Sequence, residues 1–260
     1  MSTGLERIAA AFAATDGHAA LMPYLMGGFH DLEASRAIGE AYADGGADLV
    51  EVGVPFSDPL ADGPVIHAAG TRALASGATV PAVIELAGAL AERFPVVLMC
   101  YANLVMARGV ERFADELERA GVSGLIIPDL PLEESAAVLA ACDAAGIALV
   151  PLVAPTTPEE RLARIGAQAR GFIYTVSVTG TTGERAELDP AALLARVRAH
   201  ATVTVALGFG IATPQQAAAA AAAGADGVIV GSRLVRAAAE GEDVRALVAE
   251  LAAALAADPV

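Results

Sequence analysis

Short apolar, β-branched runs recur along the chain, with helix-patterned stretches between them. The runs read "LMPYLM" (21–26), "DLVEVGV" (48–54), "PVVLMCY" (95–101), "GLIIPD" (124–129), "ALVPLV" (148–153), "GFIYTV" (171–176), "TVTVALG" (202–208) and "GVIVG" (227–231). Intervals such as "DLEASRAIGEAYADGG", "TPEERLARIGAQA" and "TPQQAAAAAAAGA" repeat apolar residues with helical period. Several open on Pro, Asp or Thr and close on Gly. Another helix, near 3–14, precedes the first run. Strands alternating with helices predict right-handed βαβ units and a parallel sheet. Eight such units in 260 residues fit an α/β fold of the (β/α)₈ TIM barrel type, one domain spanning 1–260. An open doubly wound sheet is the alternative, but no GxGxxG follows the first run.

In a barrel, alternate strand residues face the core and the surrounding helices. Val50, Val52 and Val54 share one face; Leu49, Glu51 and Gly53 share the other. The valine face is expected against the helices, which turns Glu51 into the barrel near its C-terminal mouth, where enzymes of this fold keep their catalytic groups. A structural acid paired with Arg, or capping the adjacent loop, is the alternative. No Arg lies in the neighbouring runs, so a raised pKa and acid–base work are expected of Glu51. Asp62 follows in the Pro- and Gly-rich loop "PFSDPLADGP".

Composition narrows the chemistry. The chain carries 16 basic and 31 acidic residues, a formal charge of −15, which disfavours nucleic acid and anionic membranes as partners. All the basic residues are Arg. Without a Lys amine, this chain alone forms neither a Schiff base nor a covalent pyridoxal phosphate adduct. The four His are scattered without metal-ligand spacing, so no metal site is expected. Charges and glycines interrupt every apolar run before the ~20 residues a bilayer needs. No signal-peptide pattern opens the chain, and Cys100 and Cys142 stand apart in apolar surroundings, so a cytoplasmic location is expected.

Glycine-bearing turns follow the last three runs: "SVTGTTGE", "GFGIATP" and "GSRLV". Their amides, with the start of a short helix at Ser232, predict an anion cradle, a common device after strands seven and eight of such barrels. A small phosphate ester is the expected ligand. The segment 180–189, rich in Gly, Thr and charge, reads as a lid over the site.

"LVEVGVPFSDPLADGPVI", "MCYANLV", "IIPDLPLEES", the "GTTG" turn, "GFGI" and "GVIVGS" together resemble the tryptophan synthase α-subunit family, in register from about residue 4 to 255. That resemblance implies a barrel that splits indole-3-glycerol phosphate into indole and glyceraldehyde 3-phosphate. It implies no cofactor in this chain, and a β-subunit partner, with its own pyridoxal phosphate, in an α₂β₂ heterotetramer. It makes Glu51 the general acid–base, Asp62 the second essential acid, and Tyr174 a neighbour of Glu51 or the substrate. Tyr24 and Tyr101 become walls around the indole, with Leu98, Met99 and Leu130 as further candidates. Thr182, Gly183, Gly210, Gly231 and Ser232 match substrate and phosphate contacts, Thr182 being able to reach Asp62 when the lid closes. Pro55, Phe56, Asp58 and Asn103 match the partner-facing surface. Asp129 would couple that surface to the mobile loops, or else cap the helix opening at Pro131. Two departures stand out: Thr181 where the family has Val, and His30 in "GGFHD" where it often has Pro, which puts the stiffness of that loop in question. A free-standing lyase and a catalytically silent phosphate-binding barrel are the alternative functions.

Overall fold

The structure, a computed structural model, describes residues 2–176, 189–208 and 210–257. Its strands are β1 (Ala20–Met26), β2 (Val50–Gly53), β3 (Val96–Met99), β4 (Gly124–Ile126), β5 (Ala148–Leu149), β6 (Leu152–Val153), β7 (Phe172–Val176), β8 (Thr204–Gly208) and β9 (Gly227–Val230). They form one sheet in the order β5-β4-β3-β2-β1-β9-β8-β7-β6, and every pairing is parallel.

The fifth run is therefore two strands rather than one. Ala148–Leu149 pairs with β4, while Leu152–Val153 pairs with β7. Pro151 stands at the break. Proline has no N–H to donate to a ladder, but its carbonyl accepts from Tyr174 N at 3.0 Å, while Val150 N still donates to Leu125 O at 2.9 Å. The outermost strands of the sheet are thus consecutive pieces of one run, and the sheet closes on itself through them. The fold is the (β/α)₈ barrel.

Side chains sort as the alternation requires. Val50, Val52, Val54, Leu98, Leu125, Ile173, Val205 and Val228 pack in the layer between strands and helices. Leu49, Val97, Ile126, Phe172, Tyr174, Ala206 and Ile229 fill the barrel interior. Helices open on side-chain caps from Asp31, Thr79, Asp189, Thr213 and Asp243, each satisfying an N–H that the first turn leaves free. The interval between β4 and β5 differs from one continuous helix: a short 3₁₀ turn at Leu132–Glu134 precedes Ala136–Ala144.

The N-terminal helix, Gly4–Ala13, starts on a capping box between Thr3 and Glu6 and plugs the floor of the barrel. Ile8, fully buried, joins the interior cluster, and Phe12 meets Phe172 with ring centroids 5.9 Å apart. Arg7 ties the plug down, donating to the carbonyls of Gly121 (2.7 Å), Phe94 (3.1 Å) and Ala91. With its floor filled, the barrel is open to ligands at the opposite, C-terminal rim. Truncating the plug at its most buried point, Ile8→Ala, is expected to cost ~2–5 kcal/mol in denaturant unfolding, the usual range for emptying a core site. The arrangement of the C-terminal rim under native conditions should be retained, since Ile8 lies at the far end from the mouth.

Candidate active site

Glu51 is only 2% exposed and sits in β2, with Tyr24 of β1 opposite it on one side and Val97 of β3 on the other. Its Oε1 has no hydrogen-bond partner among the described residues. Water cannot solvate the charge there, so burial first, and then the nearby Asp62 charge, push the carboxyl up to about 8. At neutral pH it holds its proton.

Asp62 has a different environment at the same rim. It is half-buried in the loop that precedes the helix Pro64–Ala75. Its Oδ1 accepts a 2.7 Å hydrogen bond from the Tyr101 hydroxyl, and that hydroxyl accepts from Ala61 N at 3.0 Å. Burial raises the Asp62 carboxyl, while the Tyr101 bond and the field of His67 oppose the rise. Glu51 is thus the neutral member of the pair, and Asp62 is the one equipped to carry charge.

Two more tyrosines close the cluster. The Tyr24 hydroxyl is buried and feels Asp62, Glu51, Tyr101 and Tyr174; its hydrogen-bond partner is the weak acceptor Met26 Sδ at 3.9 Å. Tyr174 reaches in from β7, and burial followed by the Glu51 charge pushes its hydroxyl up. Both rings occupy room left by glycines absent from the sequence-based candidates. A Cβ at Gly53 would run into the Tyr24 hydroxyl, and one at Gly208 into the Tyr174 ring. The signal available in sequence was a glycine on the inward face near a strand end, which often marks close approach.

The remaining candidates fall into separate places. Gly231 caps the helix Ser232–Glu240 without a side-chain hydrogen bond, and a Cβ on it would lie 3.7 Å from Tyr24 Cβ. The free end of that helix thus borders the acid cluster. Gly210 adopts a left-handed φ of 83° in open surroundings. Thr181, Thr182, Gly183 and the segment 177–188 lie outside the described residues. Pro55 is buried, Phe56 half-buried, and Asp58 and Asn103 exposed. Phe56 stacks on Tyr101, ring centroids 5.3 Å apart.

Two expectations need correction, and the question left open at His30 is answered. Leu98 is not an indole wall: it faces the helices, and Met99 is the residue of that pair on the interior side. Asp129 does not cap the helix beyond Pro131; its Oδ1 accepts from Ala102 N at 2.8 Å and caps Ala102–Arg108, the helix that follows β3. His30 adopts a φ of 65°, which a proline ring cannot reach, and its Nε2 lies 3.3 Å from the Ala238 carbonyl. The loop after β1 is therefore held by a contact to the helix Ser232–Glu240 rather than by a stiff residue. A cavity of about 350 Å³ beside the split fifth run, bordered by Leu130, Leu139, Pro151, Arg161 and Ile165, contains neither acid. Among the described residues no cluster of three or more His, Cys, Asp or Glu could hold a metal ion.

Comparison with known proteins shows the family to which this fold belongs. Residues 11–257 match the family described as "Tryptophan synthase alpha chain". A tryptophan synthase alpha chain from Prochlorococcus marinus (strain MIT 9313) is 48% identical over 85% of this chain and 82% of its own. One from Synechococcus elongatus (strain ATCC 33912 / PCC 7942 / FACHB-805) is 45% identical over 98% of this chain and 99% of its own. Among solved structures, tryptophan synthase from M. tuberculosis, in an open form with BRD0059 bound, superposes with a TM-score of 0.89 at 38% identity, covering 99% of this chain and 100% of that one. With the full length of the fold matched and the acid pair at its rim, the chain belongs to the tryptophan synthase alpha chain family.

Proposed function

We propose that Glu51 and Asp62 carry the retro-aldol cleavage of indole-3-glycerol phosphate to indole and glyceraldehyde 3-phosphate. One observation bears most of the weight: a buried carboxyl raised to about 8 beside a second carboxyl held by a hydroxyl donor. The carbon–carbon bond breaks only when the indole ring can accept its electrons. Glu51, protonated at rest, delivers its proton to C3 and creates that electron sink. Asp62, ionised, accepts the ring N–H and favours the positive charge that develops there. The Glu51 carboxylate then removes the proton from the side-chain hydroxyl nearest the ring. The bond electrons return to the ring, the aldehyde forms, and Glu51 is again protonated. No proton is gained or lost over the cycle.

Tyr24, Tyr101 and Tyr174 would wall the indole. Gly183, Gly210, Gly231 and Ser232 would hold the phosphate through backbone amides and the helix dipole, and Thr182 would reach Asp62. Pro55, Phe56, Asp58 and Asn103 would face the β subunit, which takes the indole on and holds the pyridoxal phosphate, in an α₂β₂ assembly. The exposure of Asp58, Asn103 and the 80% exposed Leu60 supports a partner-facing surface there. Buried, unpaired Cys100 and Cys142 suit a reducing, cytoplasmic setting.

Steady-state indole release tests the assignment. Glu51→Gln is expected to lose about 10³-fold in kcat and Asp62→Asn about 10²-fold, the scale of removing an acid–base group and a charge-stabilising one. The wild-type kcat/KM profile should be bell-shaped, since that ratio reports the groups of the free protein. Its alkaline limb lies near 8, where Glu51 loses its proton; its acid limb lies above the ordinary Asp range, where Asp62 gains one. Full activity in Glu51→Gln would end the mechanism. Added β subunit should raise the wild-type rate, whereas a free-standing lyase would gain little.

A further inference from the structure

We propose that the Tyr101 hydroxyl is a positioning group that fixes the Asp62 carboxylate against the ring N–H of the substrate, beyond any part the Tyr101 ring plays as a wall. The inference rests on Asp62 being the ionised partner in the cleavage described above. Tyr101 follows β3, immediately before the helix Ala102–Arg108, while Asp62 belongs to the loop after β2. One hydroxyl oxygen joins the two. It accepts from Ala61 N at 3.0 Å, which orients its single proton, and donates that proton to Asp62 Oδ1 at 2.7 Å. Both lengths are those of well-formed bonds, and the second is charge-assisted. The Asp62 carboxylate is thereby held by one oxygen, leaving Oδ2 to take a donor from the substrate.

The ring bearing this hydroxyl is itself fixed. Phe56 stacks on it with an interplanar angle of 27°, and Tyr101 is 3% exposed. Behind it, Asp129 anchors the next residue through Ala102 N at 2.8 Å. The hold on Asp62 therefore runs from two loops and a helix start into one oxygen. Glu51 on β2, Tyr24 on β1 and His67 on the helix Pro64–Ala75 are the other titratable groups that share a field with Asp62, and Asp129 is the further one that faces Tyr101. Of these, Tyr101 and His67 are the two that favour the Asp62 charge.

Tyr101→Phe removes the hydroxyl and keeps the ring, its burial and the Phe56 stack. The test compares wild type, Tyr101→Phe, Asp62→Asn and the double variant, each assembled with β subunit, for indole release across pH, with thermal unfolding of each. Tyr101→Phe is expected to lower kcat about 10- to 100-fold, the worth of one hydrogen bond to a charged group, with KM little changed. The acid limb of its kcat/KM profile should move to higher pH, because Asp62 loses a donor that favours its charged form. The double variant should be little worse than Asp62→Asn alone. Wild-type rate and an unmoved acid limb in a folded Tyr101→Phe would overturn the proposal, as would a rise in KM alone, which would leave Tyr101 only a wall. Wild-type activity in Asp62→Asn would instead remove the mechanism on which the proposal stands.

Discussion

A carboxyl group held inside a barrel, out of reach of water, is the constraint around which the rest of this structure is arranged. Ionising Glu51 there is costly because the group is buried and no cation among the described residues compensates the charge. The valine face of β2 forces that placement: with Val50, Val52 and Val54 packed against the helices, the alternating side chains have no direction left but inward. The acid is kept neutral by the same hydrophobic packing that stabilises the strand. Core formation and the raised pKa of Glu51 thus depend on one pattern of residues.

The second acid depends on the opposite provision. Asp62 lies on a loop, where the Tyr101 hydroxyl donates to it, and two environments a short distance apart make the two carboxyls unequal. Space for this comes from subtraction. Gly53 and Gly208 leave the volume that the Tyr24 hydroxyl and the Tyr174 ring occupy, so the mouth is lined by large amphipathic side chains without being closed by them. The end of the helix Ser232–Glu240 approaches the same tyrosine from the other side. The acids and the proposed phosphate cradle therefore share Tyr24 as a common wall.

Much of this was legible along the chain. Period-two alternation placed Glu51 inward, helix caps and glycine stops marked the βαβ units, and the spacing from Glu51 to Asp62 is that of a strand turning back through its loop. What could not be read has physical reasons. A run that is apolar at every position, as at 95–101, carries no mark of which face is which, so Leu98 and Met99 were indistinguishable. A proline in a strand signals a lost donor but not which neighbour keeps its pairing, so the division at Pro151 was hidden. The bonds from Tyr101 to Asp62 and from Ala102 to Asp129 join segments 39 and 27 residues apart, and only the pairing of β2 with β3 and of β3 with β4 brings those ends together. The same holds for His30, whose backbone conformation is supported by Ala238, 208 residues away.

The strand order has a bearing on how such a ring assembles. Among the described residues, seven of the eight ladders join strands adjacent in sequence; only β1 with β9, matching residue 20 to residue 227, spans nearly the whole chain. Each half, β1 to β5 and β6 to β9, can zip from local contacts, whereas the terminal seam must overcome the largest loop-closure entropy. Val150 and Pro151 join the two halves, and the rim where the acids and the helix end converge becomes complete only when the seam between β1 and β9 is formed.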